Sequence, residues 1–124
     1  MRWNSEFEST IAGMRLLVTG GAGYIGSHTV RELQRLGHEV TVFDNLLLGH
    51  RAAVGVPVER GELADADRIR QVLQAGHFEA VMHFAAYAVV GESMTDPSKY
   101  FTHNVIGSIN LLNAMLATGV QLLV

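Results

Sequence analysis

The 124-residue chain has no cysteine, which excludes a disulfide framework, a thiolate nucleophile and any cysteine-held metal. It has only two prolines, too few for a proline-rich linker, and a single lysine, Lys99. Charge is sparse: 17% of residues carry it, nine basic against twelve acidic, for a net −3. No basic run occurs, so nucleic acid is not an expected partner, because neutralising phosphates takes clustered positive charge. No apolar leader opens the chain, since residues 1–13 carry Glu6 and Glu8. Residues 100–124 have no Asp, Glu, Lys or Arg and are long enough to cross a bilayer. That stretch nevertheless holds Asn104, Asn110, Asn113, Gln121 and Gly119, which hydrocarbon penalises. A buried helix followed by a strand explains the same pattern. The expectation is a cytoplasmic protein with no membrane span.

What is present is apolar: 48% hydrophobic residues, thirteen glycines and a mean hydropathy of +0.21. A single domain of this length buries roughly two-thirds of its unfolded surface, enough for a real core. Residues 1–13 are polar and aperiodic and read as a disordered extension, with Met14 a candidate initiator. From there strand-like and helix-like segments alternate. Strands are expected at 15–19, 39–43, near 56–60, at 80–84 and from 120 onward. Helices are expected at 24–36, about 65–75 and about 97–117. The first carries Ile25, Val30, Leu33 and Leu36 as its apolar stripe and stops at Gly37. The second starts on Asp65 as N-cap, buries Ile69, Val72 and Leu73, and ends at Gly76. The third opens on Asp96-Pro97, carries Phe101, Val105, Ile109, Leu112 and Leu116 on one face, and stops at Gly119.

Apolar strands alternating with helices predict an α/β fold: a Rossmann-type, doubly wound parallel sheet with strand order 3-2-1-4-5. The sequence stops inside the fifth strand, so residues 14–124 are expected to form the N-terminal part of such a domain. The unpaired apolar edge predicts poor stability or aggregation in isolation.

The sharpest chemical signal is the run Thr19-Gly20-Gly21-Ala22-Gly23-Tyr24-Ile25-Gly26. It can be read as G-x-G-x-x-G on Gly21, Gly23 and Gly26, or as G-x-x-G-x-x-G on Gly20, Gly23 and Gly26. Lying between a strand and a helix, it allows a tight turn and lets backbone amides at a helix N-terminus approach a pyrophosphate. Asp44 ends the next strand, 18 residues beyond Gly26, where a carboxylate accepts ribose hydroxyl protons and repels a 2′-phosphate. No arginine adjoins it, which favours NAD over NADP. At His83-Phe84-Ala85-Ala86 the small residues give a cofactor room at a strand end. A structural role for His83 is favoured over a catalytic base, because no partner is identifiable from the sequence. The histidines show no ligand spacing, so no metal is expected.

Together these residues resemble the extended short-chain dehydrogenase/reductase family, in its nucleotide-sugar epimerase branch. The family's T-G-x-x-G-x-x-G stands at 19–26, followed by Gly-Ser-His at 26–28; Asp44-Asn45 matches its ribose pair and His83-Phe84-Ala85-Ala86 its fourth-strand motif. Val90-Gly91-Glu92-Ser93, Asp96-Pro97-x-x-Tyr100 and Asn104-Val105-x-Gly107 extend the match. The resemblance implies NAD contacts from Gly20, Gly23, Tyr24, Ile25, Gly26, Asp44, Asn45, Glu62, Leu63, Phe84, Ala85, Ala86 and Asn104. It implies a UDP-sugar substrate, a homodimer, and interconversion of UDP-galactose and UDP-glucose at C4. In that chemistry a Tyr takes the 4-hydroxyl proton while NAD takes the C4 hydride, and the hydride returns to the other face of the keto sugar. A Lys four residues after the Tyr lowers its pKa, and a Ser binds the reacting oxygen.

The chain departs from the family where that chemistry would be. Tyr24, Tyr87 and Tyr100 are followed at the fourth position by His28, Gly91 and Asn104, so no Tyr-x-x-x-Lys pair is present and no catalytic residue is assigned. The nucleotide-sugar domain is missing as well. Glu62 stands where the family usually has Asp near the adenine, Leu48 where many members have Asn, and Ala88 where many epimerases have a pyrophosphate-contacting Lys. These residues alone are therefore expected not to epimerise. Two other readings stay open: a free-standing dinucleotide-binding module, and a related nucleotide-sugar dehydratase, decarboxylase or epimerase, against which Val90-Gly91-Glu92-Ser93 discriminates. The 97–117 helix is a candidate dimer face, though its apolar stripe reads first as ordinary core.

Overall fold

In the computed structural model, residues 13–86 and 94–124 are described. Residues 1–12 and 87–93, with Tyr87, Ala88 and the Val90-Gly91-Glu92-Ser93 tetrapeptide, lie outside them. The elements run β1 (Arg15–Thr19), α1 (Tyr24–Arg35), β2 (Glu39–Asp44), β3 (Val58–Arg60), α2 (Ala66–Gly76) and β4 (Ala80–His83). They continue with α3 (Pro97–Tyr100), a π-helical turn (Phe101–Ile106), α4 (Gly107–Thr118) and β5 (Leu122–Leu123). All pairings are parallel, in the order β3-β2-β1-β4-β5. This is the expected Rossmann-like sheet, with β1 at its centre between β2 and β4.

The inner strands β1, β2 and β4 are largely buried on both faces, which is why they read as apolar runs, whereas β3 is half-buried and β5 exposed. Leu17, Phe43 and Val81 point to one side, into a core completed by Ile69 and Leu73 of α2 and Leu111 and Met115 of α4. Val18, Val40 and Val42 point to the other, against Val30 of α1. Among the described residues no helix is long and apolar enough to cross a membrane.

Helix ends follow local chemistry. The Asp65 side chain accepts the Arg68 amide at 3.1 Å, and Asp96 accepts that of Lys99 at 3.2 Å with Pro97 at the first turn. After α1, the amides of His38 and Gly37 bond the carbonyls of Leu33 and Gln34, the paired closure that a left-handed glycine allows (Gly37 φ +91°).

Several sequence expectations are corrected. β3 begins at Val58 rather than near 56, β4 stops at His83, and β2 extends to Asp44. Of the expected stripe, Val30 is buried and Leu33 packs against the same core, but Ile25 and Leu36 are exposed, and Gly26 and Ser27 complete the inner face of α1 where it lies close to the sheet. The left-handed residue ending α2 is His77 (φ +50°), not Gly76. Gly76 is there for space: a Cβ on it would stand 2.1 Å from the Phe78 ring. The last helix is broken by the π-turn. Phe101, Val105, Ile109, Leu112 and Leu116, taken as core, all stand at the surface, Leu116 at 81% exposure. Gly107, Leu111, Ala114 and Met115 are the residues that pack inward.

Candidate nucleotide-binding site

The carboxyl ends of β1, β2, β3 and β4 surround one cleft enclosing about 720 Å³, its open mouth included. Ligands of parallel α/β sheets bind at this edge, where the connections leave β1's neighbours in opposite directions. Gly20, Gly23, Asp44, Asn45, Glu62, Leu63, Phe84, Ala85 and Ala86 line it, nine of the thirteen residues that the sequence nominated.

The turn after β1 is packed to the limit. A Cβ on Gly20, itself at φ +71°, would lie 2.6 Å from the Ala85 amide nitrogen, and one on Gly26 would lie 2.2 Å from the Gly20 carbonyl oxygen. A Cβ on Gly21 would strike Val42 at 2.5 Å, so Gly21 serves sheet packing and does not line the cleft. The glycines facing the cleft are thus Gly20 and Gly23, which favours the G-x-x-G-x-x-G frame. Gly23 is the N-cap of α1, has no side chain to bond the first-turn amides, and is followed by no acidic residue in that turn. The positive end of a twelve-residue helix is left open to an anion. Tyr24 and Ile25 flank this end at 82% and 65% exposure and do not line the cleft, nor does Gly26.

Asp44 is buried and organises the turn. Its Oδ2 accepts the Ala22 amide at 3.0 Å and its Oδ1 accepts the Leu46 amide at 2.8 Å, Leu46 itself being left-handed at φ +61°. Each oxygen of a carboxylate can accept a second bond, so the group retains capacity for two hydroxyl donors. The Ala22 carbonyl in turn accepts the His50 amide at 3.2 Å, tying the loop after β2 to the glycine turn from both sides of one residue. Beyond Asp44, the Asn45 side-chain Nδ2 donates to both oxygens of Glu62 at 3.2 and 3.3 Å, and His103 Nδ1 stands 3.8 Å from Glu62 Oε2. The far end of the cleft therefore presents a carboxylate whose orientation is fixed.

Sequence reasoning did not nominate Phe43, Leu47, Gly49, Gly61 or His103, all of which line the cleft. Gly49 and Gly61 follow strand ends and were findable from the rule that ligands gather there. His103 carries no local signal and lies within the π-turn. Its neighbour Asn104 is outside the lining, and its carbonyl accepts the Ser108 hydroxyl at 2.6 Å. His83 has partners after all: Nδ1 is 2.6 Å from Thr19 Oγ1 and Nε2 is 3.3 Å from Ser108 Oγ. Burial holds its imidazole below the ordinary value of 6.5. Among the described residues, no cluster of His, Asp and Glu is placed to hold a metal.

Comparison with known proteins gives a consistent result. The model of the NAD dependent epimerase/dehydratase family matches residues 16–124. A UDP-glucose 4-epimerase of Lactobacillus helveticus is 48% identical over 113 residues, covering 90% of this chain and 34% of that relative. One from Klebsiella pneumoniae is 42% identical over 118 residues, covering 87% of this chain and 84% of its own length. The solved UDP-glucose 4-epimerase of Thermus thermophilus, a complex with NAD, superposes with a TM-score of 0.86 at 45% identity, over 89% of this chain and 36% of that one. The chain thus spans about a third of the length of most curated relatives it matches. With its glycine turn, its buried acidic residue after β2 and its parallel sheet all accounted for, the chain belongs to the NAD dependent epimerase/dehydratase family.

Proposed function

We propose that the cleft holds the adenosine and pyrophosphate portion of NAD, and that the protein carrying these residues interconverts UDP-galactose and UDP-glucose. The observation that carries this reading is the joint geometry of Gly20, Gly23 and Asp44. Gly20, with no room for a Cβ, and Gly23, the N-cap without a side chain, border the open N-terminus of α1, beside a buried carboxylate with acceptor capacity for a ribose. The pyrophosphate fits against Gly23 and the first turn of α1, and the ribose against Asp44. Leu47 and Leu63 would hold the adenine at the far end of the cleft, where the Glu62 carboxylate would supply an acceptor for its amino group. Phe84, Ala85 and Ala86 border the path toward the nicotinamide. When bound, NAD supplies a reversible hydride acceptor.

The chain's own contribution is binding, orientation and exclusion of the phosphorylated cofactor. A negative group at Asp44 repels a 2′-phosphate, so NAD is preferred over NADP. The sequence contains no Tyr-x-x-x-Lys pair, and these 124 residues alone are expected to bind without turning over substrate. Titration of NAD and NADP against the protein, followed by assay of UDP-galactose conversion, tests both halves of the reading. Equal affinity for the two cofactors removes the role given to Asp44, and turnover by the 124 residues alone overturns their assignment as a binding segment. The cytoplasm and a homodimer belong to the same reading. Phe101, Val105, Ile109, Leu112 and Leu116, exposed among the described residues, form an apolar helix face of the kind that a second copy covers, which supports the dimer. Sedimentation of the full-length protein as a monomer would remove that assignment.

A further inference from the structure

Thr19 is fully buried at the end of β1, with its hydroxyl oxygen 2.6 Å from His83 Nδ1 and 3.4 Å from the Ala85 amide nitrogen. On the other side of the ring, His83 Nε2 lies 3.3 Å from Ser108 Oγ, which lies 2.6 Å from the Asn104 carbonyl oxygen. The two ends of this chain fix the direction of every bond in it. An amide N–H only donates, so Thr19 Oγ1 accepts from Ala85; the oxygen could accept a second bond, but its own proton finds an acceptor in Nδ1 only when that nitrogen is bare. A carbonyl only accepts, so Ser108 donates to Asn104 and receives the Nε2 proton. One state of the ring satisfies both ends: the neutral imidazole with its proton on Nε2. A proton on Nδ1 would face the Thr19 hydroxyl and take away the acceptor for that hydroxyl's own proton.

Ser108 bonds the carbonyl four residues back, the group that its backbone amide would take in a regular α-helix. The helix is not regular at this point, being wound as a π-turn over Phe101–Ile106 before α4 resumes at Gly107. At about 100° per residue, positions 103 and 108 of an unbroken α-helix would stand about 140° apart around its axis. With the π-turn present, Ser108 meets β4 while His103 also faces the sheet edge, in the cleft beside Glu62. Single π-turns inside helices recur at functional sites, where they redirect a side chain.

We propose that His83 is a positioning residue for the nucleotide cleft: through Ser108 its Nε2–H holds the Asn104 carbonyl, and with it the π-turn that sets His103 beside Glu62. The functional consequence rests on the reading of the cleft as a dinucleotide site; the relay itself does not. His83 acts on the ligand only through the helix, and so links the centre of the sheet to the wall of the cleft farthest from the glycine turn.

The test uses the full-length protein with ¹⁵N-labelled histidine. Long-range ¹H–¹⁵N spectra at neutral pH are expected to show His83 as the neutral Nε2–H tautomer. Ser108→Ala is expected to shift the His103 ring resonances and weaken NAD binding roughly 3- to 10-fold, as loss of a single hydrogen bond does. Ser108→Thr keeps the hydroxyl and is expected to restore both. An Nδ1–H or imidazolium form of His83, or unchanged His103 resonances in Ser108→Ala, overturns the proposal. If Ser108→Ala does not fold, the tautomer in the parent protein and the His103 resonances in Ser108→Thr decide. If the parent binds no NAD, the reading of the cleft fails, while the tautomer and the His103 shift still judge the relay.

Discussion

The two sides of β1 build their halves of the cleft by different means. On the β2 side, one carboxylate does most of the organising. Asp44 bonds the glycine turn through Ala22 and the following loop through Leu46, and His50 returns to the Ala22 carbonyl. On the β4 side the wall is made by small size and a buried relay. Phe84 and Ala85 press against Gly20 closely enough to exclude a Cβ, and His83 ties β1 to α4 through Thr19 and Ser108. The first side writes its chemistry in residue types that carry charge. The second writes it in the absence of side-chain volume and in which nitrogen bears a proton, and leaves far less for a motif to show.

The seam between the two sides is where the fold tolerates least. Gly26→Val forces a branched side chain onto the Gly20 carbonyl, and with Cβ already at 2.2 Å the turn must open. The expected outcome is a loss of stability of about 3 kcal/mol, with NAD binding lost, read by thermal melting and titration calorimetry. Next in size is Asp44→Asn, which places an amide N–H against one of two backbone N–H donors. NAD affinity is expected to fall on the order of 100-fold, from a lost ribose acceptor and a displaced turn, while NADP loses less. A parallel fall for both cofactors would show that Asp44 acts on the turn alone.

A smaller effect sharpens the far end of the cleft. If Glu62 accepts the adenine amino group, the analogue with a keto oxygen in its place binds roughly 10-fold more weakly, and Glu62→Gln narrows that gap, because an amide can donate. Equal affinity of the parent protein for both dinucleotides would remove Glu62 from base recognition. The smallest effect lies on the β4 side. The His83 pKa is held below 6.5 in the folded chain by burial, so the unfolded chain binds the extra proton first. Its contribution to stability is complete above 6.5 and is lost as pH falls from 6.5 toward the lowered folded value. Urea unfolding followed across that range is expected to show a slope that His83→Asn removes. A slope unchanged by the substitution would assign the dependence to other groups.

The elements of the sheet were legible because their signals are local. β1 is placed residue for residue, Asp65 and Asp96 cap where their side chains suit capping, and the strand order follows from parallel pairing and right-handed crossovers. Of the nine cleft residues, Gly20, Gly23 and Asp44 were legible because a glycine turn and a carboxylate at a strand end are chemical statements in themselves, Phe84, Ala85 and Ala86 from small residues at a strand end, and Asn45, Glu62 and Leu63 through the family resemblance. The apolar stripe of the last helix misled. Phe101, Val105, Ile109, Leu112 and Leu116 obey helical spacing, but spacing reports a common face and not what covers it. The inward face is instead Leu111, Ala114 and Met115, with Gly107 against Leu63 and the Asn110 side-chain amide donating to the Leu63 carbonyl at 2.8 Å, and the last two contacts no hydrophobic pattern announces.

The sequence by itself determined the class of fold, the turn after β1, the acid after β2 and the family, since each depends on residues adjacent in the chain or on a fixed order of elements. Tertiary structure alone decided that Gly21 packs while Gly20 faces the cleft, that Asp44 is already bonded at both oxygens, and that His103 joins Glu62 across a π-turn. Apart from the Asp44–Leu46 bond, which joins residues two apart, those outcomes depend on distances between segments well separated in the chain, and no local pattern encodes them.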